Sequence, residues 1–548
     1  MLRKLSMLSL RSSKISPGNR YQPHEVFPSL NKLMTTDSPS DYVPLVTAIN
    51  LAALVDLGPC EFSLALQNAG ILLCHEIVRI VTGRRLVCKG TWTDKAGRKQ
   101  AVYCKLFIGP AAKKYAGRDL DGVTALLQSN IATPAVLYAG GSNASSPDHQ
   151  VRVLVFEALA DSINADQALN SIDSQQRWVL MRDLVMAVAE HHGAGLMQAD
   201  LYPKNFLVQQ GRIYTIDGDG IRQLPRIRTW WHAAKNLAIL ISKFDVVDIE
   251  GRVAELLEVY RQRCKLGERM DAQMLAKIAR GHLKKVVHGY VDNKVFRQCT
   301  DVAVWKNFTT FLAINRAFEA GKIATVLEAP DHLLESTTSV TLKQGNTCTV
   351  ALADIDAVKV VVKRYNIKSF WHGVGRAFRT SRAAASWSNA FRLRMYGIAT
   401  PLPIALLEKR LGPIRREAYL LTEYLQAPDV DVYFSDPEVQ DVEHVKTARY
   451  IAEMFYRLKL LKITHGDLKA SNIKISNGLP QLIDLDSLSD HDCHWQFNRQ
   501  HIRDLRRFMR NWPSQSAISI MLANALNDIY QDDSLLKKAG ILTKSRIN

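Results

Sequence analysis

The sequence predicts an α+β protein that contains two tandem copies of one two-lobed domain. Three short signatures recur at a single offset of 267 residues, and these are residues 131–134 with 398–401, 200–205 with 467–472, and 216–217 with 483–484. Self-similarity at a fixed spacing indicates a repeated structural unit. The length of 548 residues agrees, because single cores stop growing at about 300 residues. We name the two copies the first and the second repeat.

Each repeat begins with strand-forming segments and continues with helical ones. Residues 84–107 of the first repeat form two apolar, strand-like runs around a Gly-containing turn, and residues 347–365 do the same in the second. A helical segment, the recurring Ile-Ala-Thr-Pro and a further strand follow. Amphipathic segments at 177–195 and 443–461 then predict long helices directly before the polar signatures. Strands first and helices later describe an α+β domain with two lobes.

The composition divides the chain into three predicted segments. Residues 1–45 form a basic, Ser-rich N-terminal extension. Residues 46–325 form the first domain and residues 326–548 the second, because the periodic pattern is interrupted between 321 and 339. Few residues remain after Asp484, so the helical lobe of the second domain is predicted to be small.

The most specific signal is the polar motif of the second repeat, His-Gly-Asp-Leu-Lys-Ala-Ser-Asn, which is followed by Ile-Asp-Leu-Asp. Phosphoryl transfer requires a carboxylate that orients the attacking hydroxyl, and oxygen ligands that hold Mg²⁺ on the phosphates. We therefore predict that Asp467 is the catalytic base and that Asn472 and Asp484 bind magnesium. Lys469, two residues after the base, is placed to neutralise the transferred phosphoryl group.

The first repeat carries the same constellation at the same spacing. Asp200 takes the place of the base, and Asn205 and Asp217 take the places of the magnesium ligands. A lone Asp or Asn in such a pattern is usually a turn residue. Matched spacing in both repeats, directly after an amphipathic helix, favours the catalytic interpretation.

Two substitutions distinguish the first motif from the second. Gln198 stands where the second repeat has histidine, and Tyr202 stands where it has Lys469, with Lys204 two residues further along. These differences leave open that the first repeat is a pseudokinase, a scaffold that binds partners without turnover.

Nucleotide-binding residues are predicted in the strand-rich half of each repeat. Lys105 and Lys363 lie among apolar, strand-forming residues, as expected of a lysine that binds ATP phosphates. The alternative is an edge-strand lysine whose stem covers apolar surface. Glu157 and Glu423, near the end of the strand that follows Ile-Ala-Thr-Pro, are further candidates for nucleotide binding.

In kinases this lysine pairs with an acidic residue of a nearby helix. The first repeat offers Asp119 or Asp121 for that pair. The second offers none, because residues 364–407 contain no Asp or Glu, so Asn389 or Ser386 is the predicted hydrogen-bonding substitute.

The charge of the chain predicts an anionic partner. There are 71 Lys and Arg against 53 Asp and Glu, a net charge of +18. Nucleic acid, acidic lipid or a phosphorylated glycan would each suit this surplus. No nucleic-acid-binding motif accompanies the charge, so we expect no nucleic acid partner. Eight scattered cysteines fit a reducing compartment, and the oligomeric state is left open.

At these residues the chain resembles the bacterial lipopolysaccharide core sugar kinases, the heptose and Kdo kinases of the protein-kinase-like superfamily. QADLYPKNFL and YTIDGDGIR resemble one branch of this group. VVVKRYN, IATPLPIALLE, HGDLKASNIKI and DLRRFMRNW resemble another. The likeness covers nearly all of residues 84–240 and 340–512.

This resemblance implies two tandem protein-kinase-like bilobal domains that use ATP and Mg²⁺. It also implies a sugar hydroxyl on an anionic glycolipid, the lipopolysaccharide core, as acceptor, and possible action on two positions. The enzyme would then be cytoplasmic and peripheral to the inner membrane, which it would reach by electrostatic attraction.

Two other kinase classes share the core residues. A protein Ser/Thr kinase should carry an Ala-Pro-Glu element that closes an activation segment, and neither repeat has one nearby. An aminoglycoside- or choline-type kinase binds a cation, which favours an acidic surface, whereas this chain is basic.

Overall fold

The computed structural model describes most of the chain. The described residues are 61–81, 84–143, 150–318, 323–324, 327–335, 339–345, 348–355, 358–366, 380–412, 414–531 and 534–541. The basic extension predicted at residues 1–45 lies outside them. Helices and strands are mixed throughout, which confirms the α+β prediction.

The described residues form two compact units. The first consists of the described residues up to Lys113 and of Leu137–Phe156. The second consists of Lys114–Val136 and of the described residues from Glu157 onward. The second unit therefore contains both polar motifs.

The first unit is built on a six-stranded sheet in the order β1-β2-β3-β4-β6-β5. Its strands are β1 (Phe62–Leu66), β2 (Gly70–Val81), β3 (Arg85–Thr93), β4 (Lys99–Ile108), β5 (Val136–Gly141) and β6 (Val151–Glu157). Successive antiparallel hairpins join β1 to β4. Alternating burial along β1 shows that one face of the sheet carries the core.

Three cysteines pack together in this core. Cys74, Cys88 and Cys104 are fully buried, and their Sγ atoms all lie within 4.8 Å of one another. Strand pairing brings them together, since Cys88 stands directly opposite Cys104 in the β3–β4 register. Free cysteine behaves as a small apolar side chain, which suits this position among valines and leucines.

Six helices of the first repeat follow. They are α1 (Ala112–Gln128), α2 (Ala165–Ser171), α3 (Ser174–Gly193), α4 (Thr229–Ile241), α5 (Val246–Arg261) and α6 (Ala272–Val291). Between them lie β7 (Ile163–Asn164), β8 (Leu196–Gln198), β9 (Phe206–Gln209), β10 (Arg212–Thr215) and β11 (Ile221–Gln223). The amphipathic segment predicted at 177–195 forms most of α3, whose first backbone N–H groups are capped by Asp173.

The second repeat begins with a seven-stranded sheet in the order β12-β13-β17-β18-β16-β15-β14. Its strands are β12 (Val302–Lys306), β13 (Thr310–Asn315), β14 (Val340–Gln344), β15 (Cys348–Ile355), β16 (Val358–Tyr365), β17 (Pro403–Leu411) and β18 (Ile414–Glu423). The first two strands precede the boundary predicted at residues 325–326. They belong to this sheet because β13 pairs with β17. We propose that the second domain begins with β12.

Seven further helices lie within the described residues of the second repeat. They are α7 (His332–Glu335), α8 (Arg382–Met395), α9 (Val430–Ser435), α10 (Asp441–Leu461), α11 (His494–Met509), α12 (Ala517–Tyr530) and α13 (Ser534–Ala539). Four short strands surround its polar motif, namely β19 (Ile463–Thr464), β20 (Ile473–Ser476), β21 (Leu479–Leu482) and β22 (Ser489–Asp490). Within the residues described, no helix has the length and apolar character needed to cross a bilayer.

Two large apolar clusters organise the second unit. One lies within the first repeat, where α3, α4, α5 and α6 bury residues such as Leu184, Leu237 and Leu256. The other centres on the second repeat but also takes in Val287, Val291 and Val295 from the end of the first repeat. The two repeats therefore share part of one core.

Candidate active sites

The two polar motifs fold into loops with the same hydrogen bonds. Asn205 ends a 3₁₀ turn, and its side-chain Nδ2 donates to the backbone oxygen of Asp200 at 2.7 Å. Asn472 ends the equivalent turn, and its Nδ2 donates to the backbone oxygen of Asp467, also at 2.7 Å. Each bond leaves the amide oxygen as the remaining polar atom of a buried asparagine.

A second pair of bonds joins each loop to the segment that carries the predicted metal aspartate. Ile216 N–H donates to the Asn205 backbone oxygen at 2.9 Å, and Ile483 N–H donates to that of Asn472 at 3.0 Å. The next residue is the aspartate in both cases. Asp217 and Asp484 both adopt left-handed backbone conformations, with φ of 71° and 60°. This conformation is unusual for a residue other than glycine and is concentrated at functional sites.

Gln198 makes the same contact as the histidine that it replaces. Its Nε2 donates to the backbone oxygen of Ile216 at 3.0 Å. His465 Nε2 lies 2.9 Å from the backbone oxygen of Ile483. Both side chains are fully buried. The substitution therefore preserves the hydrogen bond that joins the polar motif to the segment that carries the predicted metal aspartate.

In the second repeat, Lys363 contacts two carboxylates. Its Nζ donates to Asp484 and, at 3.1 Å, to Asp486. Burial would lower the pKa of Lys363, but Tyr365, Asp486 and Asp484 outweigh it and raise that pKa above the usual value. Burial likewise opposes ionisation of Asp484, yet its hydrogen bond with Asp486 and the charge of Lys363 hold its pKa well below the usual range. The lysine is charged and Asp484 is ionised at neutral pH.

Asp486 was not among the predicted site residues. Its side chain is only 4% exposed, and it pairs with Lys363 from β16 and with Arg382 from α8. Burial and the neighbouring Asp484 raise its pKa. The first repeat has the matching pair, since Arg118 of α1 lies 3.0 Å from Asp219. The signal was present in the sequence as a second Asp in each Ile-Asp-x-Asp.

The predicted substitutes for the missing helix acid do not contact the lysine. Asn389 Nδ2 donates to the backbone oxygens of Leu485 and Leu488, at 3.0 and 3.2 Å. Ser386 Oγ lies 3.2 Å from the hydroxyl of Tyr365. The expectation for both was wrong, because Asp486 reaches Lys363 from the loop instead. In the first repeat, Asp119 is buried in α1 and Asp121 is exposed.

A basic residue stands beside the predicted base of the second repeat. Arg507 of α11 forms an ion pair with Asp467. Three residues earlier in that helix, Asp504 accepts the backbone N–H of His465 at 2.7 Å and that of Gly466 at 3.1 Å. Burial raises the pKa of Asp504. Helix α11 therefore fixes the backbone at the start of the polar motif and places the cation of Arg507 beside Asp467, the predicted catalytic base.

The first repeat also gathers cations, around a ring two residues after its predicted base. Tyr202 lies two residues after the exposed Asp200, and the ammonium groups of Lys204 and Lys243 stand over its ring at 5.2 and 4.1 Å. Burial and the charge of Lys204 lower the pKa of Lys243. Tyr202 thus replaces Lys469 in sequence but holds two lysines in space.

The remaining predicted residues lie on the expected elements. Lys105 is on β4, with its ammonium 5.4 Å from the centre of the Phe156 ring. Glu157 accepts the backbone N–H of Ala135 at 2.9 Å, and Glu423 accepts that of Leu402 at 3.3 Å. Both glutamates therefore close the link between Ile-Ala-Thr-Pro and the following strand, and their contact with nucleotide stays a prediction.

The donor set of each repeat fits a hard cation. Carboxylate and amide oxygens are the ligands that Mg²⁺ prefers. In the second repeat, Asp484 and Asp486 are neighbours whose pKa values are pushed in opposite directions, as happens when two carboxylates crowd one place. A divalent cation would relieve that repulsion. The residues present therefore suit magnesium-dependent phosphoryl transfer.

One family model matches the chain twice, once in each repeat. The model of the "Lipopolysaccharide kinase (Kdo/WaaP) family" matches residues 100–280 and again residues 336–526. Among solved structures, the chain is similar to "WaaP in complex with acyl carrier protein", with 17% identity and a TM-score of 0.32. That similarity covers 42% of this chain and 96% of the other. No curated protein matches the chain.

Proposed function

Because the chain belongs to the lipopolysaccharide kinase (Kdo/WaaP) family, we propose that it phosphorylates sugar hydroxyls of the lipopolysaccharide inner core and that both of its repeats are active. The members of this family are phosphotransferases with an alcohol group as acceptor, and this chain is one of them. The proposal for two active repeats rests on one observation. Both repeats build the catalytic loop and the aspartate segment with the same hydrogen bonds.

Nucleotide and metal are assigned to the same positions in both repeats. Asn472 and Asp484 would hold Mg²⁺ in the second repeat, as would Asn205 and Asp217 in the first. Bound Mg²⁺ neutralises charge on the phosphates during transfer. Lys363 is charged and has only 15% of its side chain exposed beside Asp484, which suits a residue that binds phosphate.

Asp467 is proposed as the base that orients the acceptor hydroxyl and receives its proton. A general base must lie within hydrogen-bond reach of that proton. The loop supports this role because Asn472 and Asp504 hold its backbone on both sides of Asp467. Lys469 lies two residues further, where its charge would stabilise the transferred phosphoryl group.

The cations at both polar motifs favour an anionic acceptor. Arg507 pairs with Asp467 and is about half exposed, with 52% of its side chain accessible. An acceptor that carries a carboxylate or phosphate can take over Arg507 and leave Asp467 free to accept a proton. Lys204 and Lys243 supply similar charge in the first repeat. Acidic core sugars have the chemistry that such sites recognise.

The net charge of +18 supports work at an anionic membrane surface. We propose a cytoplasmic enzyme that is peripheral to the inner membrane. Binding to vesicles with anionic lipid should then fall sharply between low and high salt, because salt screens exposed charges. Vesicle flotation measures this binding. If the amount of protein that floats with the vesicles does not change with salt, an apolar anchor is required instead.

Calorimetry of the full chain tests whether both repeats bind nucleotide. We expect two Mg·ATP sites in the parent protein and one in each of the variants Asp217→Ala and Asp484→Ala. Asp161→Ala is the matched control, because Asp161 is exposed and also has a positive φ of 55°. It should leave two sites.

The same experiment separates the proposal from its alternative. If the parent binds one Mg·ATP, and Asp484→Ala removes that site while Asp217→Ala leaves it, the first repeat is a pseudokinase. If neither aspartate variant changes the number of sites, the assignment of the metal ligands fails. Mass spectrometry of lipopolysaccharide core from cells with and without the gene tests the acceptor, because the number of phosphates should fall when the gene is absent.

A further inference from the structure

The last helix of the first repeat, α6, contacts the second repeat on two sides of its aspartate loop. The loop comprises residues 484–488, and we call it the metal loop. On one side α6 meets α8, which contacts this loop, and on the other it meets β22, which follows the loop in the chain. These contacts all lie within the second unit.

The contact with α8 is apolar at its centre and hydrogen-bonded at its edge. Val287, Val291 and Val295 belong to the same buried cluster as Trp387, which is fully buried. Trp387 Nε1 donates to the backbone oxygen of Val295, in the 3₁₀ turn that follows α6, at 3.0 Å. Ser388 Oγ donates to that of Val291 at 3.1 Å. The second bond satisfies one of the carbonyl groups that a helix leaves unpaired at its C-terminus.

The contact with β22 is ionic. The side chain of Asp490 is 7% exposed, and its two carboxylate oxygens each lie 2.7 Å from a nitrogen of α6, Lys284 Nζ and His288 Nε2. Lys284 also contacts Asp492 at 2.8 Å. Removing one partner of a buried pair costs more than removing an exposed one, because the remaining charge stays desolvated. The end of the metal loop is therefore tied to α6 by charge.

The two contacts lead to the same place. From α8, Arg382 pairs with Asp486 and Asn389 binds the backbone oxygens of Leu485 and Leu488. From β22, Asp490 lies two residues beyond the loop. The metal loop thus lies between α8 and β22, and α6 contacts both of them.

We propose that α6 of the first repeat is a positioning element of the second active site. It fixes α8 and β22, and through them the orientation of Asp484 and Asp486. The second repeat then depends on the first for the geometry of its metal site. The proposal rests on the proposed function in one respect, since it takes residues 484–488 to bind the magnesium of Mg·ATP.

The physical consequence is a change in metal affinity rather than in the metal ligands themselves. Groups that orient a ligand without touching the metal typically contribute 10–100-fold in metal affinity or activity. Lys284 and His288 act one step further out, through Asp490 and the backbone, so we expect an effect near roughly tenfold.

The test uses the full chain with Asp217→Ala, so that only the second site binds Mg·ATP. The double variant Lys284→Met/His288→Leu should raise the Mg²⁺ concentration for half-maximal ATP binding by roughly tenfold. Lys285→Met is the matched control, because Lys285 is exposed and adjacent on the same helix. It should stay within about twofold of the parent, and Lys284→Arg, which keeps the pair with Asp490, should do the same.

A second measurement requires no nucleotide. Amide hydrogen exchange of residues 484–490 should be faster in the double variant and unchanged in Lys285→Met. If the double variant does not fold, Ser388→Ala removes a single hydrogen bond and should change both measurements in the same direction by a smaller amount.

The outcomes separate this inference from the proposed function. Unchanged exchange of residues 484–490 in the folded double variant, or in Ser388→Ala, overturns the inference even if Mg·ATP binds. Equal changes in Lys285→Met also overturn it. Faster exchange with no Mg·ATP binding in the parent sustains the positioning role and overturns the assignment of the metal ligands.

Discussion

The two repeats hold the same loop by different means. In the first, Gly122 of α1 packs against Gly218, and a Cβ at Gly122 would lie 2.0 Å from the Gly218 oxygen. In the second, the equivalent positions are Asn389 and Leu485, and the amide of Asn389 donates to the Leu485 oxygen at 3.0 Å. Close approach of two backbones in the first repeat and a side-chain hydrogen bond in the second thus both fix the helix against the loop. The geometry of the loop is retained while the residues that impose it change.

The charged contact differs in the same manner. Arg118 pairs with Asp219 in the first repeat, and Arg382 pairs with Asp486 in the second. The two aspartates are equivalent in the repeat, but Arg382 comes three positions earlier than the equivalent of Arg118. Three positions are about one helical turn, so both arginines lie on the same face. Moving the arginine by one helical turn keeps its ion pair with the aspartate. An alignment of the two repeats position by position would miss this equivalence.

The largest expected effect comes from the bases. Asp467→Asn should lower phosphate transfer by the second repeat about 10²–10⁴-fold, which is the usual contribution of a positioned base. Mg·ATP binding should persist, because Asn472, Asp484 and Lys363 are unchanged. Asp200→Asn is the same experiment on the first repeat. Transfer is measured as phosphates on the core by mass spectrometry, and binding by calorimetry. If only Asp200→Asn abolishes transfer, the first repeat is the catalyst.

Acid should destabilise the first repeat more than the second. His191 and His192 are buried in α3, and burial lowers the pKa of His191 to about 3 and that of His192 to about 4. Their contribution to stability is complete above the unfolded pKa of about 6.5 and is lost as the pH falls below it. At pH 5 the loss is about 2 kcal/mol for each histidine.

The equivalent positions in α10 are Leu458 and Lys459, so α10 has no counterpart of the two buried histidines. Hydrogen-exchange protection factors at pH 7 and pH 5 should therefore fall in α3 more than in α10. His191→Leu introduces the residue of the second repeat and should remove about half of this dependence. Equal protection of α3 at both pH values would contradict the assignment of two buried neutral histidines.

A smaller effect is expected from the contact between helix and loop. Gly122→Ala should lower the free energy of unfolding by about 1–3 kcal/mol, because its Cβ meets backbone rather than a mobile side chain. Gly117→Ala is the control, since Gly117 lies in the same helix and a Cβ there meets nothing within 4 Å. It should be neutral or stabilising. Asn389→Ala should cost about 1–3 kcal/mol, because two buried carbonyl groups lose their donor.

Urea unfolding measures these three variants. If Gly122→Ala is tolerated as well as Gly117→Ala, α1 is not held against the loop by close backbone contact. The comparison between glycine packing and the amide bond would then fail for the first repeat.

The smallest effect is expected when Gln198 and His465 are exchanged. Gln198→His and His465→Gln should each change Mg·ATP affinity and transfer by less than about tenfold. The two side chains bind equivalent carbonyl groups, of Ile216 and Ile483, and one such bond is worth about 1 kcal/mol. Calorimetry and the transfer assay provide both values. If His465→Gln silences the second repeat as completely as Asp467→Asn, glutamine in the first repeat marks a pseudokinase.

The sequence by itself determined the repeat and the fold class, and it located the two polar motifs whose loops share the same hydrogen bonds. Asp467, Asn472 and Asp484 lie within 18 residues, and their bonds run along or between neighbouring segments of chain. Local spacing therefore carries most of that geometry. For the same reason the first motif could be recognised from its spacing, although Gln198 and Tyr202 depart from the second motif. The roles of Asn205 and Asp217 in metal binding stay predictions.

Only the tertiary structure decided which distant residues join these loops. Asp486 rather than a helix acid reaches Lys363, Arg507 approaches Asp467 from a later helix, and β12 and β13 enter the second sheet ahead of the predicted boundary. The contacts that α6 and the turn after it make with α8 and β22 join residues about 100–200 positions apart in sequence. Local periodicity records which face of an element is apolar, but not which distant partner covers it. That choice is made by strand pairing, helix packing and the pairing of buried charges.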